Sequence, residues 1–200
     1  CYWLLGLTRK EARDIYQMAP LHTAASQGHE AVVDVLLVAG AEKEARDIHQ
    51  ITPLHFAAGK GHEAMVQVLL AAGVDKEARA NDQCTPLHIV AGHGHEAGVH
   101  VLLAAGAGKD KEARDIHQTI PLHFAAGKGH EAMVQVLLAA GVDKEARDND
   151  QCTPLHHAAD GGHEAVVQVL LVAGVDKEAR GIGHMTPLHI AACAGHGAVV

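Results

Sequence analysis

The sequence predicts an all-α solenoid in which helix–turn–helix units stack side by side. All 6 prolines lie in the tripeptide Pro-Leu-His, at spacings of 33, 33, 35, 33 and 33 residues. The tetrapeptide Lys-Glu-Ala-Arg recurs in step with them, and only 2% of the residues are aromatic. A period of this length is typical of repeat proteins. A core of Ala, Val and Leu favours closely packed helices.

The repeated markers divide the chain into units. We expect an array over residues 10–200, with units 10–42, 43–75, 76–110, 111–143, 144–176 and a partial unit 177–200. Residues 1–9 are predicted to be the remnant of a preceding repeat. Two extra residues between Gly106 and Lys111 should bulge from a loop without breaking the stack. Since polar end caps are missing, we expect a piece of a longer protein.

Each unit is predicted to hold two helices, as residues 52–73 illustrate. Thr52 and Pro53 start the first, because Thr caps free amides and Pro at the first position lacks an N–H that would need a partner. Gly59 and Gly61 are expected to end it. His62 and Glu63 open the second helix, which Gly73 closes. Its expected buried stripe is Val66, Val68, Leu69 and Leu70.

Recurrent motifs relate the units to a known family. Thr-Pro-Leu-His-x-Ala occupies residues 52–57 and 153–158, with close variants at 85–90 and 186–191. Gly-His dipeptides and Leu-Leu-x-x-Gly tails complete the pattern. Over roughly residues 10–200 the chain therefore resembles the ankyrin-repeat family. This resemblance implies antiparallel helix pairs, projecting β-hairpin-like loops and a concave groove beside them.

The chain departs from the family pattern at two positions of the unit. The family places Gly near the loop tip, where this sequence has Gln17, Gln50, Gln83, Gln118 and Gln151. A left-handed conformation costs a non-Gly residue roughly 1–2 kcal/mol, so these tips are expected to be looser or differently turned. Ala19 and Ile120 replace the capping threonine, a loss of about 1 kcal/mol each.

Charge and cysteine content narrow the function classes. The net charge of −8 argues against nucleic-acid binding, which depends on Lys and Arg. The apolar runs are shorter than the ~18–20 residues of a membrane span, so no membrane insertion is expected. Cys84 and Cys152 occupy equivalent loop positions and are predicted to be free thiols. Free thiols indicate a reducing intracellular compartment, and we expect the cytoplasm.

The 18 histidines suggest a metal site, but most belong to the repeat framework. Copies of one position lie roughly 10 Å apart in a helix stack, whereas zinc ligands converge to ~2 Å from one ion. His95 and His100 are five residues apart instead of the four that a zinc-protease helix needs. The alternating charges of Lys-Glu-Ala-Arg indicate a solvated, self-neutralised edge. We therefore expect no catalytic residue, metal or cofactor, and no enzyme activity.

Positions that vary among the copies are the candidates for binding a partner. They are the loop tips, the residue after Pro-Leu-His and the pair before the mid-unit Gly, and by resemblance they line the groove. The candidate protein-binding residues are Ile48, His49, Phe56, Lys60, Asn81, Asp82, Ile89, His93, Ile116, His117, Phe124, Lys128, Asn149, Asp150, His157 and Asp160. Packing between units is an alternative role for Phe56 and Phe124.

Residues 43–88 and 111–156 differ at only 3 of 46 positions, so one surface is presented twice. The leading hypothesis is a non-catalytic scaffold that binds a protein or peptide along the groove and loop tips. Alternatives are a structural spacer or assembly element, and the targeting arm of a larger enzyme or signalling protein. A designed array is a further alternative, against which the two-residue insertion argues.

Overall fold

Short α-helices in antiparallel pairs make up the chain. The computed structural model describes residues 12–107 and 112–199, and within these ranges it contains eleven α-helices and no strand. The all-α prediction is confirmed. The helices are α1 (Pro20–Gln27), α2 (Glu30–Val38), α3 (Pro53–Lys60), α4 (Glu63–Ala71), α5 (Pro86–His93), α6 (Glu96–Ala104), α7 (Pro121–Gly127), α8 (Glu131–Ala139), α9 (Pro154–Asp160), α10 (Glu164–Val172) and α11 (Pro187–Ala194).

The pairs stack into two rows. The odd-numbered helices pack successively against one another, and α2, α4, α6, α8 and α10 form the second row. Small side chains allow the close approach of the odd-numbered helices, since Ala57 and Ala58 of α3 are fully buried. The stack continues past residues 108–111, because α5 packs on α7. This agrees with the predicted tolerance of the insertion, while the predicted remnant at residues 1–9 lies outside the described residues.

The first helix of each pair begins at its proline, but histidine is the capping residue. His55 Nδ1 accepts the backbone N–H of Thr52 at 3.2 Å, and the Thr52 hydroxyl donates to the same nitrogen at 2.8 Å. The predicted capping of amides by threonine is therefore wrong at this helix. A threonine hydroxyl does accept a backbone N–H, from His189, at Thr186.

The positions without threonine keep the histidine cap. The backbone N–H of Ala19 donates to His22 Nδ1 at 3.0 Å, and that of Ile120 donates to His123 Nδ1 at 3.2 Å. These helix starts therefore lose the hydroxyl bond alone. The imidazole therefore reaches back from the third helical position whether or not threonine precedes the proline.

The helix ends partly match the predictions. Gly61 ends α3 in the left-handed conformation with φ of 71°, as expected, and Gly73 follows α4 with φ of 73°. Gly59 does not end α3, which continues to Lys60. A Cβ at Gly59 would lie 3.0 Å from Ile89 Cγ2, so this position needs a small residue for packing.

The buried face of α4 differs from the predicted stripe. Met65, Val66 and Leu69 are fully buried, while Val68 and Leu70 pack against the core and remain partly exposed. Helix α4 packs against α3 and against its neighbours in the second row, α2 and α6. The prediction missed this because it used the apolar pattern of one isolated helix.

Histidines join consecutive pairs through two series of hydrogen bonds. His55 Nε2 donates to the carbonyl oxygen of Cys84 at 3.2 Å, and the other Pro-Leu-His histidines from His22 to His156 make the equivalent bond. In the second series, His95 Nε2 donates to the Gly59 carbonyl oxygen at 3.1 Å. The framework role predicted for these histidines is confirmed.

The Lys-Glu-Ala-Arg segments, predicted as a solvated and self-neutralised edge, also join the pairs. Arg46 Nη1 donates to the carbonyl oxygens of Gln50 at 3.2 Å and Arg79 at 2.8 Å. Lys43 Nζ donates to Ala72 O at 2.7 Å, at the carboxyl end of α4. Cationic donors are favourable at a helix carboxyl end. The positively charged side chains of these segments therefore donate hydrogen bonds to backbone carbonyl oxygens of adjacent segments.

The loop tips form a continuous edge along the stack. The backbone N–H of Asn81 donates to His49 O at 2.9 Å, and that of Asn149 donates to His117 O at the same distance. Gln50 has φ of 61°, and Gln17, Gln83, Gln118 and Gln151 are also left-handed. The turn that the family forms with Gly is thus retained with Gln.

Candidate protein-binding groove

The face formed by the loops and the odd-numbered helices carries two hollows in equivalent places. We call them the first and the second hollow. The first has a volume of about 350 Å³ and lies between α3 and α5. Its lining residues are Asp47, His49, Ile51, His55, Phe56, Gly59, Lys60, Ile89 and His93. Five candidate residues, His49, Phe56, Lys60, Ile89 and His93, therefore lie together.

The second hollow lies between α7 and α9 and has a volume of about 400 Å³. Its lining residues are Asp115, His117, Thr119, His123, Phe124, Gly127, Lys128, Asp148, Asn149, Asp150, His157, Asp160 and Gly161. It brings together seven of the candidates, which are His117, Phe124, Lys128, Asn149, Asp150, His157 and Asp160.

The two phenylalanines both pack and line the hollows. Phe56 meets the ring of His22 edge-on at 5.8 Å between centroids, and Phe124 meets His88 in the same way at 5.5 Å. Each ring is half-buried. One part of the ring therefore contacts the framework histidine of the preceding pair, and another part lines the hollow.

An aspartate–histidine pair distinguishes the second hollow. His157 Nε2 donates to Asp148 Oδ2 at 2.8 Å, while Asp148 Oδ1 accepts the backbone N–H groups of Asp150 and Cys152. The His157 ring also contacts His123 edge-on at 5.1 Å. Burial and the neighbouring His157 lower the pKa of His123 from 6.5 to about 4. His123 is therefore neutral at pH 7.

Sequence differences between the copies explain the contrast between the hollows. Asp148 replaces Ala80, and Thr119 with Ile120 replaces Ile51 with Thr52. Because Ile and Thr are exchanged, the second copy has no hydroxyl beside its capping histidine. The hydroxyl is instead on Thr119, which is 8% exposed. Among the residues that the structure describes, the Thr119 hydroxyl oxygen has no hydrogen-bond partner.

The remaining candidates lie at the loop tips. Asn81 and Asp82 line a further hollow, of about 310 Å³, beside His49. Ile48 and Ile116 are 45% and 52% exposed and lie outside these three hollows. The prediction had not included the buried loop carboxylates Asp47, Asp115 and Asp148. The few differences between the near-identical blocks were the signal that could have identified Asp148.

The thiol of Cys84 and the histidines beside and within α6 do not form a reactive site. Burial and nearby carboxylates raise the pKa of Cys84 to about 12, so this thiol is protonated at neutral pH. Within residues 12–107 and 112–199, no three His, Cys, Asp or Glu side chains are placed to hold a metal ion. His95 is bonded to Gly59, and His100 lies 3.7 Å from Glu96.

Comparison with known proteins agrees with the geometry. A family model described as ankyrin repeats (3 copies) matches residues 21–115 and 107–181. A search of curated proteins finds no match to the chain. Ankyrin repeats are generally protein–protein interaction modules and are typically non-catalytic. In the described ranges, none of the helices is long and apolar enough to cross a membrane. The chain belongs to the ankyrin-repeat family.

Proposed function

We propose that the chain is a non-catalytic scaffold that binds a protein or peptide along the groove and the loop tips. The observation that carries this proposal is the pair of hollows at equivalent places of the stack. Each is lined by a half-buried phenylalanine and by exposed polar residues that differ between the copies. Aromatic side chains that become buried on binding often dominate the binding energy of an interface.

The loops beside the hollows are held by the fold itself. Asp115 Oδ1 accepts the backbone N–H groups of His117 and Thr119, at 2.9 and 2.8 Å. Arg114 Nη1 donates to the Gln118 and Arg147 carbonyl oxygens, each at 2.8 Å. A surface that is ordered before binding loses less entropy on association. These bonds therefore support a recognition surface on the loops.

Peptides selected from a displayed random linear library on the whole chain would test the proposal. We expect the selected peptides to lose roughly tenfold or more in affinity with Lys60→Glu, His117→Ala or Phe124→Ala. Gln67→Ala and Gln135→Ala are matched controls, because these exposed residues lie on the second helices α4 and α8. Thermal melting of each variant checks that the fold is kept.

Two results would contradict this function. One is a set of selected peptides whose affinity depends on Gln67 and Gln135 but not on the groove variants. The other is a failure to recover any peptide that competes at the groove, which would favour the spacer role. The Lys60 and His117 variants keep the test valid if Phe124→Ala destabilises the stack, because both side chains are exposed.

A further inference from the structure

We propose that the second hollow binds an arginine side chain of the partner. This inference rests on the proposed function and adds the chemistry that the partner presents at one place. The hollow combines carboxylates, an aromatic ring and a buried hydroxyl without a hydrogen-bond partner. The carboxylates and the ring favour a planar, positively charged group, and the hydroxyl needs a hydrogen-bonding partner.

The charge of the second hollow is complementary to a cation. Four aspartates, Asp115, Asp148, Asp150 and Asp160, line it together with one lysine, Lys128. The first hollow has one aspartate, Asp47, and one lysine, Lys60. With neutral histidines, the lining of the second hollow therefore carries a formal excess of three negative charges, and that of the first carries none.

The aromatic ring favours a guanidinium over a compact ammonium group. Phe124 lines the hollow and is only half-buried, so part of its ring is available for stacking. Guanidinium groups stack on aromatic faces and bond to carboxylates through a planar fork of N–H donors. Asp150 and Asp160 are exposed carboxylates on the same lining.

Thr119 provides an independent indication that a hydrogen-bonding group is missing here. The residue lines the second hollow and is 8% exposed, and no described residue gives its buried hydroxyl a hydrogen bond. Buried polar atoms are normally satisfied in folded proteins. In the first hollow the same position is Ile51, which needs no partner. The unsatisfied hydroxyl is thus confined to the hollow that has the excess negative charge.

The test uses N-acetyl-arginine amide as the probe and the whole ¹⁵N-labelled chain. We expect titration by NMR to shift the amide signals of His117, Asn149 and Asp150. The signals around His49 in the first hollow are the internal control and should shift little. Binding should be roughly fivefold weaker for N-acetyl-lysine amide, and roughly fivefold weaker again with Asp150→Asn plus Asp160→Asn. Both aspartates are exposed, so these variants should fold.

A converse variant gives the first hollow the charges of the second. Ala80→Asp together with Gly92→Asp places carboxylates at the positions equivalent to Asp148 and Asp160. A Cβ at Gly92 would lie 3.4 Å from the Phe124 ring, an ordinary contact. We expect this double variant to acquire arginine-amide shifts around His49.

Equal shifts in both hollows of the parent chain would overturn the arginine assignment. Equal affinity for the lysine probe, or full binding by the Asp150→Asn, Asp160→Asn variant, would overturn it as well. The proposed function can fail separately. Groove-dependent peptides that lack arginine would leave that function standing while removing this inference. Arginine-amide binding without any groove-dependent peptide would contradict the proposed function and leave the preference of the second hollow for arginine standing.

Discussion

A hydrogen bond through the imidazole ring joins His55 to Cys84, which is 29 residues further along the chain. His55 Nε2 donates to the carbonyl oxygen of Cys84 at 3.2 Å, and its Nδ1 accepts the N–H of Thr52. A carbonyl oxygen can only accept, and a backbone N–H can only donate. The ring must therefore be the neutral tautomer with the proton on Nε2. Protonation of Nδ1 would remove the acceptor that holds the start of α3.

This requirement predicts acid sensitivity. Burial lowers the pKa of His55 from 6.5 to about 4, and His123 is lowered to the same value. The unfolded chain then binds more protons than the folded chain between these values. Above pH 6.5 the contribution of each histidine to the free energy of unfolding should be fully present. As the pH drops towards 4, the free energy of unfolding should fall by on the order of 3 kcal/mol for each histidine.

Urea denaturation at a series of pH values would measure this loss. The His123→Gln variant is less stable because Ile120 N–H loses its acceptor, but its stability should also depend less on pH between 6.5 and 4. NMR of the imidazole nitrogens at pH 7 should show the proton on Nε2 of His55. A pH-independent stability in this range would contradict the prediction.

A second prediction concerns the Thr119 hydroxyl, which has no hydrogen-bond partner among the described residues. Thr119→Val removes a buried oxygen that has no partner among the described residues, so the variant should be more stable by about 1 kcal/mol. Thr52→Val is the matched control, because it removes a hydroxyl that donates to His55 at 2.8 Å. It should be less stable by about 1 kcal/mol. Chemical denaturation of both variants measures the two signs, and a destabilised Thr119→Val would contradict the account.

Glycine before histidine is predicted to serve both the turn and the packing. Gly94 has φ of 73°, and a Cβ there would lie 2.6 Å from His130 Nδ1. Gly94→Ala should destabilise the fold by roughly 2–4 kcal/mol. Gly195 has φ of 78° but no atom within 4 Å of a Cβ, so Gly195→Ala should cost only about 1–2 kcal/mol. Equal losses in calorimetry would mean that the contact with His130 is unimportant.

The left-handed glutamines should be sites where glycine stabilises the chain. Gln118 is exposed and has φ of 61°. Gln118→Gly relieves the strain of that conformation and should raise the free energy of unfolding by about 0.5–1 kcal/mol. Gln135→Gly, within helix α8, should lower it by about 1 kcal/mol. The melting temperatures test the pair, and a lower value for Gln118→Gly would show that the turn does not strain the glutamine.

Repetition made the helix pairs and the framework histidines predictable, because each copy shows the same local signals. Proline marks every first helix, and glycine marks the left-handed ends. The predicted roles of Thr52 and Gly59 were wrong, and the bonds made by the Lys-Glu-Ala-Arg segments were not predicted. In each case a neighbouring side chain or an adjacent pair supplies a contact that the local pattern does not contain.

The sequence by itself determined the period, the helix pairs and the positions that vary, since these follow from residue spacing and local backbone preference. Only the tertiary structure decided which variable residues share a hollow. It also showed that Asp148 bonds to His157 and that Arg46 reaches Arg79, 33 residues away. Such contacts depend on how one pair stacks on the next. The distance between stacked pairs is set by side-chain packing throughout the array, which the sequence of a single unit does not specify.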